Sequence, residues 1–313
     1  LDNFMIGFNA VMPMMLYMAL GQFFTRAGFI KQDAYAQFNK AIFSILLPLN
    51  LFSNVYNTNI ATDFNGLTLS FNIIFAIVAF IILAFIVPIF EKSNAKRGVI
   101  LQGSIRSNAI LFGLPMGIAL LGQENLGMVT IVLATIVPLN NIFSVIAFSI
   151  YTDEKFSLKR TIKQVLTNPM VIFTCAGVIV AVLGFKFPNV IETTMGNLTR
   201  MTTPLALIVM GGTFNFGKLK DADWSLYGTV LARLVIIPTI ALFIAGGLLD
   251  FRGADLISVL IATAGPTAVS SYAQAVVAGG DGDLANQIVV FTTVASMFSL
   301  VVFIMILKSL AYF

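Results

Sequence analysis

The sequence predicts an all-α polytopic membrane protein: ten transmembrane helices in two inverted five-helix repeats, with the fourth and ninth helices broken. Three observations predict it. Of 313 residues, 58% are hydrophobic and only 10% charged, against roughly 25% charged in an ordinary soluble domain. The few charges are clustered, leaving runs without any at 3–25, 41–62, 64–90, 107–123, 125–152, 164–185, 201–217, 234–249, 256–280 and 284–307. Most of these suffice for a span of about 20 apolar residues. Finally, the second half of the chain repeats landmarks of the first.

The first span, 3–25, is too long and too polar at its far end for a cleaved signal peptide and lacks a basic leader. It is followed by spans near 36–57, 65–90, 98–121 and 125–151, which complete a first repeat over 1–151. The fourth of these admits one charge, Arg106. A polar segment, 152–167, is expected as a cytoplasmic linker. Spans near 168–186, 195–215, 224–249, 254–278 and 285–310 then form a second repeat over 168–313, with Arg233 inside the eighth. Basic residues set the orientation. Twelve (Arg26, Lys31, Lys40, Lys92, Lys96, Arg97, Lys155, Lys159, Arg160, Lys163, Lys218 and Lys220) fall in loops on one side, and four (Lys186, Arg200, Arg252 and Lys308) on the other. The richer side is cytoplasmic, so both termini are expected outside.

At an offset of 156 residues, Pro13-Met14 meets Pro169-Met170, Gly21 meets Gly177, and Gly28-Phe29 meets Gly184-Phe185. Pro48-Leu49-x-Leu51 likewise meets Pro204-Leu205-x-Leu207. Prolines and glycines at element boundaries make chance identity a poor explanation. Because each unit has an odd number of spans, the second lies inverted, a common plan of secondary carriers.

The interruptions carry the candidate site. The fourth span reads Gly103-Ser104-Ile105-Arg106-Ser107-Asn108, and the ninth Thr263-Ala264-Gly265-Pro266-Thr267-Ala268-Val269-Ser270-Ser271. Paired broken helices at repeat-related places point to a substrate site. Pro266 cannot donate a backbone hydrogen bond, and its ring clashes with the preceding turn. Two half-helix N-termini, near Asn108 and Thr267, would offer free N–H groups and positive dipole ends to a carboxylate. Ser270 and Ser271 would add hydroxyls. Arg106 and Arg233 are cations within spans that contain no acid, and guanidinium grips carboxylate well; the alternative is that each snorkels or binds helix-end carbonyls. The candidate binding residues are therefore Arg106, Ser107, Asn108, Gly265, Pro266, Thr267, Ser270, Ser271 and Arg233. Asn50, Asn54, Asn140, Asn141, Thr213, Tyr272 and Gln274 are also polar within spans; an Asn pair such as Asn140-Asn141 more often bonds across helices than to substrate.

The composition argues against enzymology. The chain has no histidine, no acidic pair within a span, and one cysteine, Cys175, without an evident base. Protease and zinc chemistry lack their parts. No catalytic residue, metal or cofactor is expected. Gly279-Gly280-Asp281-Gly282-Asp283 lacks the ligand ladder of a calcium loop and reads as a tight turn. Basic residues sit in loops, so nucleic acid is not an expected partner.

Ser107-Asn108 with Gly113-x-Pro115 in the fourth span, Gly265-Pro266-Thr267 in the ninth and the five-plus-five layout together resemble the auxin efflux carrier family, and within it the bacterial malate permeases. The resemblance covers essentially the whole chain. Plant members carry Pro-Asn where this chain has Ser107-Asn108, so a looser first break is expected here; they also carry much longer central loops, so the short 152–167 segment implies a prokaryotic plasma (inner) membrane. The resemblance implies that spans four and nine cross. It also implies an elevator in which spans three to five and eight to ten move against a scaffold of spans one, two, six and seven, and a homodimer joined through that scaffold. Among family substrates, arginines at the crossing fit a small dicarboxylate such as malate. The competing readings are a cation-coupled symporter and an anion channel of related architecture. The expected partners are thus a small organic anion, the bilayer and a second copy of the chain.

Overall fold

A computed structural model describes residues 2–56, 65–122, 125–151, 158–214 and 223–313. Among these the chain is helical, and the helices follow the apolar segments of the sequence. They are α1 (Asp2–Arg26), α2 (Gln32–Ala41), α3 (Leu47–Tyr56), α4 (Gly66–Phe90), α5 (Asn94–Ile105), α6 (Leu114–Leu121), α7 (Gly127–Ile150) and α8 (Leu158–Thr167). There follow α9 (Pro169–Val182), α10 (Asn189–Thr213), α11 (Trp224–Leu231), α12 (Ile237–Leu242), α13 (Gly253–Ala264), α14 (Ser270–Val277) and α15 (Gly282–Ser309). Short π-helical turns, Ile42–Leu46, Ala109–Gly113, Ala232–Ile236 and Phe243–Leu248, adjoin or link several of them. Among the described residues three helices, Gly66–Phe90, Gly127–Ile150 and Trp224–Leu248, are each long and apolar enough to cross a membrane unaided.

Helix α4 shows what surrounds the molecule. Asn65 caps it by accepting from Leu67 N at 3.0 Å and Thr68 N at 3.4 Å. From Ile73 to Phe90 it is apolar on every face, and Ile74, Ile81, Phe85 and Ile89 stand exposed. An exposed apolar row of this length suits lipid, not water.

The segment 152–167, expected as a linker, contains a helix. Residues 152–157 lie outside the described residues, but Leu158–Thr167 is a helix. Ile162 and Leu166 stand one turn apart, as do Lys159 and Lys163, and all four are exposed. This two-faced pattern suits a helix lying at a membrane surface.

Packing pairs the halves crosswise. α1 lies on α10 and α3 on α9, while α5 meets α15 and α13 meets α7. The first contact is very close: a Cβ on Gly211 would stand 2.1 Å from Met18 O, and one on Gly21 would stand 2.0 Å from Ile208 O. Gln22 Nε2 then reaches Gly211 O at 2.7 Å and Phe214 O at 2.6 Å, both across this contact. Landmarks at the repeat offset also share conformation. Gly28 and Gly184, just past the ends of α1 and α9, have φ of 74° and 64°. At one end, Asn65 and Thr68 donate to the Asp255 carboxylate at 3.0 and 2.8 Å, joining α4 to α13. Asp223, the cap of α11, is bound by Lys96 of α5 at 2.7 Å, joining the corresponding elements with the halves exchanged. The Lys96 ammonium helps hold the Asp223 carboxyl below its ordinary value, against the opposing pull of partial burial.

Candidate functional site

Helices α5 and α13 both stop in the protein interior. The second stop follows from sequence: a residue before proline is pushed toward extended backbone, and Gly265, at φ −66° and ψ 158°, is so placed before Pro266. The first has no proline. Arg106 closes α5, with its N–H bonded to Gln102 O at 2.9 Å, and turns to ψ 99°. What holds this turn open is the other break. Asn108 N donates to Pro266 O at 2.7 Å and Ala268 N donates to Arg106 O at 3.1 Å, so Ser107 and Thr267 form a short antiparallel bridge. The expected looseness of the Ser107-Asn108 break is not what the structure has, because the pairing supplies the constraint that proline would have given. Thr267 tightens the crossing further: its hydroxyl donates to Gly103 O at 2.8 Å and its N–H reaches Thr292 Oγ1 at 3.1 Å.

Beyond the bridge the chain re-enters helix twice, through Ala109–Gly113 into α6 and through Val269 into α14. The starts of these half-helices border one cavity. Arg106, Ser107, Asn108, Ala109, Ala268, Val269 and Ser270 line it from the crossing, and Val137, Asn140 and Asn141 from α7. Leu47, Asn50 and Leu51 close it from α3, and Thr203 and Ala206 from α10.

Arg106 is 4% exposed. Its Nη2 donates to Asn141 Oδ1 at 2.6 Å and lies 3.8 Å from Met170 Sδ, while Nη1 donates to Ser144 Oγ at 3.3 Å and to Gln274 Oε1. All of these partners are neutral. The fork is thus anchored, and its charge is left uncancelled at the cavity wall. Two further polar atoms are buried there without a partner, Asn108 Nδ2 and Asn140 Oδ1. An unpartnered buried donor is costly unless a ligand or water meets it. A cation, a free amide donor and the starts of two half-helices on one small cavity have the chemistry that suits a carboxylate.

The expected residues divide. Arg106, Ser107, Asn108 and Ser270 line the cavity, whereas Gly265, Pro266 and Thr267 build the crossing behind it. Ser271 is buried away from the lining, with its hydroxyl unpartnered. Arg233 lies elsewhere. It is 1% exposed and donates to the carbonyls of Gly265 (Nε, 2.9 Å), Ile105 (Nη1, 2.9 Å) and Ser104 (Nη1, 3.3 Å). It clamps the ends of α5 and α13 and does not touch the cavity. Asn140 and Asn141, ranked low from sequence, both line it. The walls from α3 and α10 carry a signal that the sequence offered: Leu47 and Thr203, and Asn50 and Ala206, each stand 156 apart, flanking Pro48 and Pro204. The glycine-rich turn at 279–283 is a helix start, with Asp281 Oδ1 accepting from Leu284 N at 2.9 Å.

Comparison with known proteins agrees with this picture. A family model described as a membrane transport protein matches residues 6–159 and 154–304. An uncharacterized transporter of Methanocaldococcus jannaschii is 23% identical over 279 residues, which cover 85% of this chain and 87% of that protein.

Proposed function

The chain belongs to this family of membrane transport proteins, and from that premise we propose that it is a secondary active transporter of a small organic acid anion, with malate the favoured substrate, working by elevator-type alternating access. One observation carries the reading: the two breaks bridge each other and leave an uncancelled guanidinium and an unpartnered amide donor on one buried cavity. The location of that cavity supports a sliding motion. One wall comes from the crossing and α7, the other from α3 and α10, so movement between those groups would carry a bound anion past a fixed surface. The crosswise packing and the equivalent turns at Gly28 and Gly184 support the inverted five-helix repeats. The proposal includes a homodimer joined through spans one, two, six and seven, residence in a prokaryotic plasma membrane, and both termini outside.

Uptake of labelled malate into proteoliposomes tests the reading. Saturation and counterflow are expected of a carrier; flux proportional to concentration without counterflow would mean a channel. A net unit charge moved across 100 mV is worth about 2.3 kcal/mol. Monoanion uptake should therefore quicken when the lumen is made positive, and quicken again at lower external pH as protonated substrate accumulates. Flux indifferent to potential at two pH values would point instead to neutral proton symport or balanced exchange.

Asn108→Ala separates binding from folding. The Nδ2 donor has no protein partner to lose, so the melting temperature should stay within a degree or two of wild type. The half-saturation constant should rise by the equivalent of about 1–3 kcal/mol, because a hydrogen bond to the anion disappears. An unchanged half-saturation constant would place the anion elsewhere.

A further inference from the structure

The two faces of the crossing have opposite sign. Helix starts border the anion cavity, while on the other side the last carbonyls of α5 and α13 converge. A helix end carries roughly half a negative charge and leaves its final carbonyls unpaired. Two such ends brought together attract a cation, and in carriers with broken helices the carbonyls of half-helix C-termini hold the coupling ion. Here the position is filled by Arg233, whose three hydrogen bonds go to Ser104, Ile105 and Gly265 carbonyls; among the described residues no carboxylate partners it. Arg233 also lines a second, mostly apolar cavity of about 30 Å³, in which Asn72, Asn140 and Thr263 are the other polar members. Its Nη2 has no partner, nor has Asn140 Oδ1.

We propose that Arg233 is a tethered stand-in for a coupling cation: its guanidinium permanently occupies a carbonyl site of the kind that would otherwise take sodium, so the protein runs without a soluble cation. The consequence for coupling rests on the carrier reading, but the site itself does not, and its test needs no substrate. Removing the side chain should convert a filled site into an empty one lined by three carbonyl oxygens and the Asn140 amide.

Arg233→Ala and wild type would be purified in detergent and melted in choline, sodium and guanidinium chlorides at equal, modest ionic strength. Wild type should melt alike in all three. The alanine variant should melt lower in choline and recover by a saturable rise of roughly 5 °C in sodium or guanidinium, as expected when a ligand binds only the folded state. A folded alanine variant whose melting shows no more preference among the three salts than wild type would overturn the proposal. Purification of this variant in sodium or guanidinium but not in choline would support it. If it is lost in all three, Arg233→Lys decides: an ammonium suits three carbonyls, so wild-type melting without cation preference supports the proposal, and equal loss of the lysine variant refutes it.

Discussion

Arg106→Ala should reduce malate uptake to background while leaving a monodisperse, well-expressed protein. A unit charge about 4 Å from a carboxylate, at an effective dielectric constant near 20, contributes about 4 kcal/mol, close to three powers of ten in affinity. Among the described residues no other cation lines the cavity, since Arg233 faces the helix ends. The effect on folding should be smaller and of either sign. Asn141, Ser144 and Gln274 lose a donor, but the fold is also relieved of a buried charge without a counterion. Arg106→Lys should restore part of the uptake: it keeps the charge and loses the planar fork that those three neutral side chains hold. Expression, size-exclusion profile and uptake at matched protein amounts make up the measurement. Uptake by the alanine variant near the wild-type rate would remove Arg106 from the site.

Gly211→Ala should be, with Gly21→Ala, among the most damaging single added methyl groups in the described residues, and Gly196→Ala, on the same helix as Gly211, should be harmless. A Cβ on Gly211 would meet the Met18 carbonyl oxygen at 2.1 Å and the Met18 Cα at 2.6 Å. Both are backbone atoms, so relief requires that α1 and α10 separate. Separation would also stretch the Gln22 bonds to Gly211 and Phe214 and the bond from Thr25 Oγ1 to Gly212 O. Overpacking costs about 1–3 kcal/mol even where side chains can adjust, so more is expected here. A Cβ on Gly196 would meet nothing within 4 Å, and alanine gains about 0.5–1 kcal/mol in a helix interior over glycine. Melting followed in detergent should place the two variants on opposite sides of wild type or nearly so. Equal melting of the two would mean that α1 and α10 do not meet as closely as the structure has them.

The sequence was most legible where covalent geometry forces the backbone. Pro266 dictates an extended Gly265, and that break could be read from two residues. The break at Ser107 was visible only as a cluster of small and polar residues. Its extended form is imposed from 160 residues away, by Pro266 O and Ala268 N, and no local pattern encodes a partner at that distance. Arg233 was legible as a buried cation that would meet either substrate or helix-end carbonyls; the structure has the second, but which carbonyls could not be read, because every residue has one. Asn141 failed to stand out for a related reason: its importance comes from the guanidinium it anchors on another helix. Helix α8, inside the expected linker, was hidden by its charges although Ile162 and Leu166 keep helical spacing.

The crosswise packing has a consequence for how the molecule is made. Helices α1, α3, α5 and α7 leave the ribosome before α10, α9, α15 and α13, against which they lie. The first half is therefore complete before these partners exist: α4, α5 and α7 can already pack on one another, but Gly21 lacks Ile208 and the Asn108 N–H lacks the Pro266 carbonyl. The crossing closes only when residues 265–268 have been synthesised, so the anion site is among the last parts of the protein to come into existence.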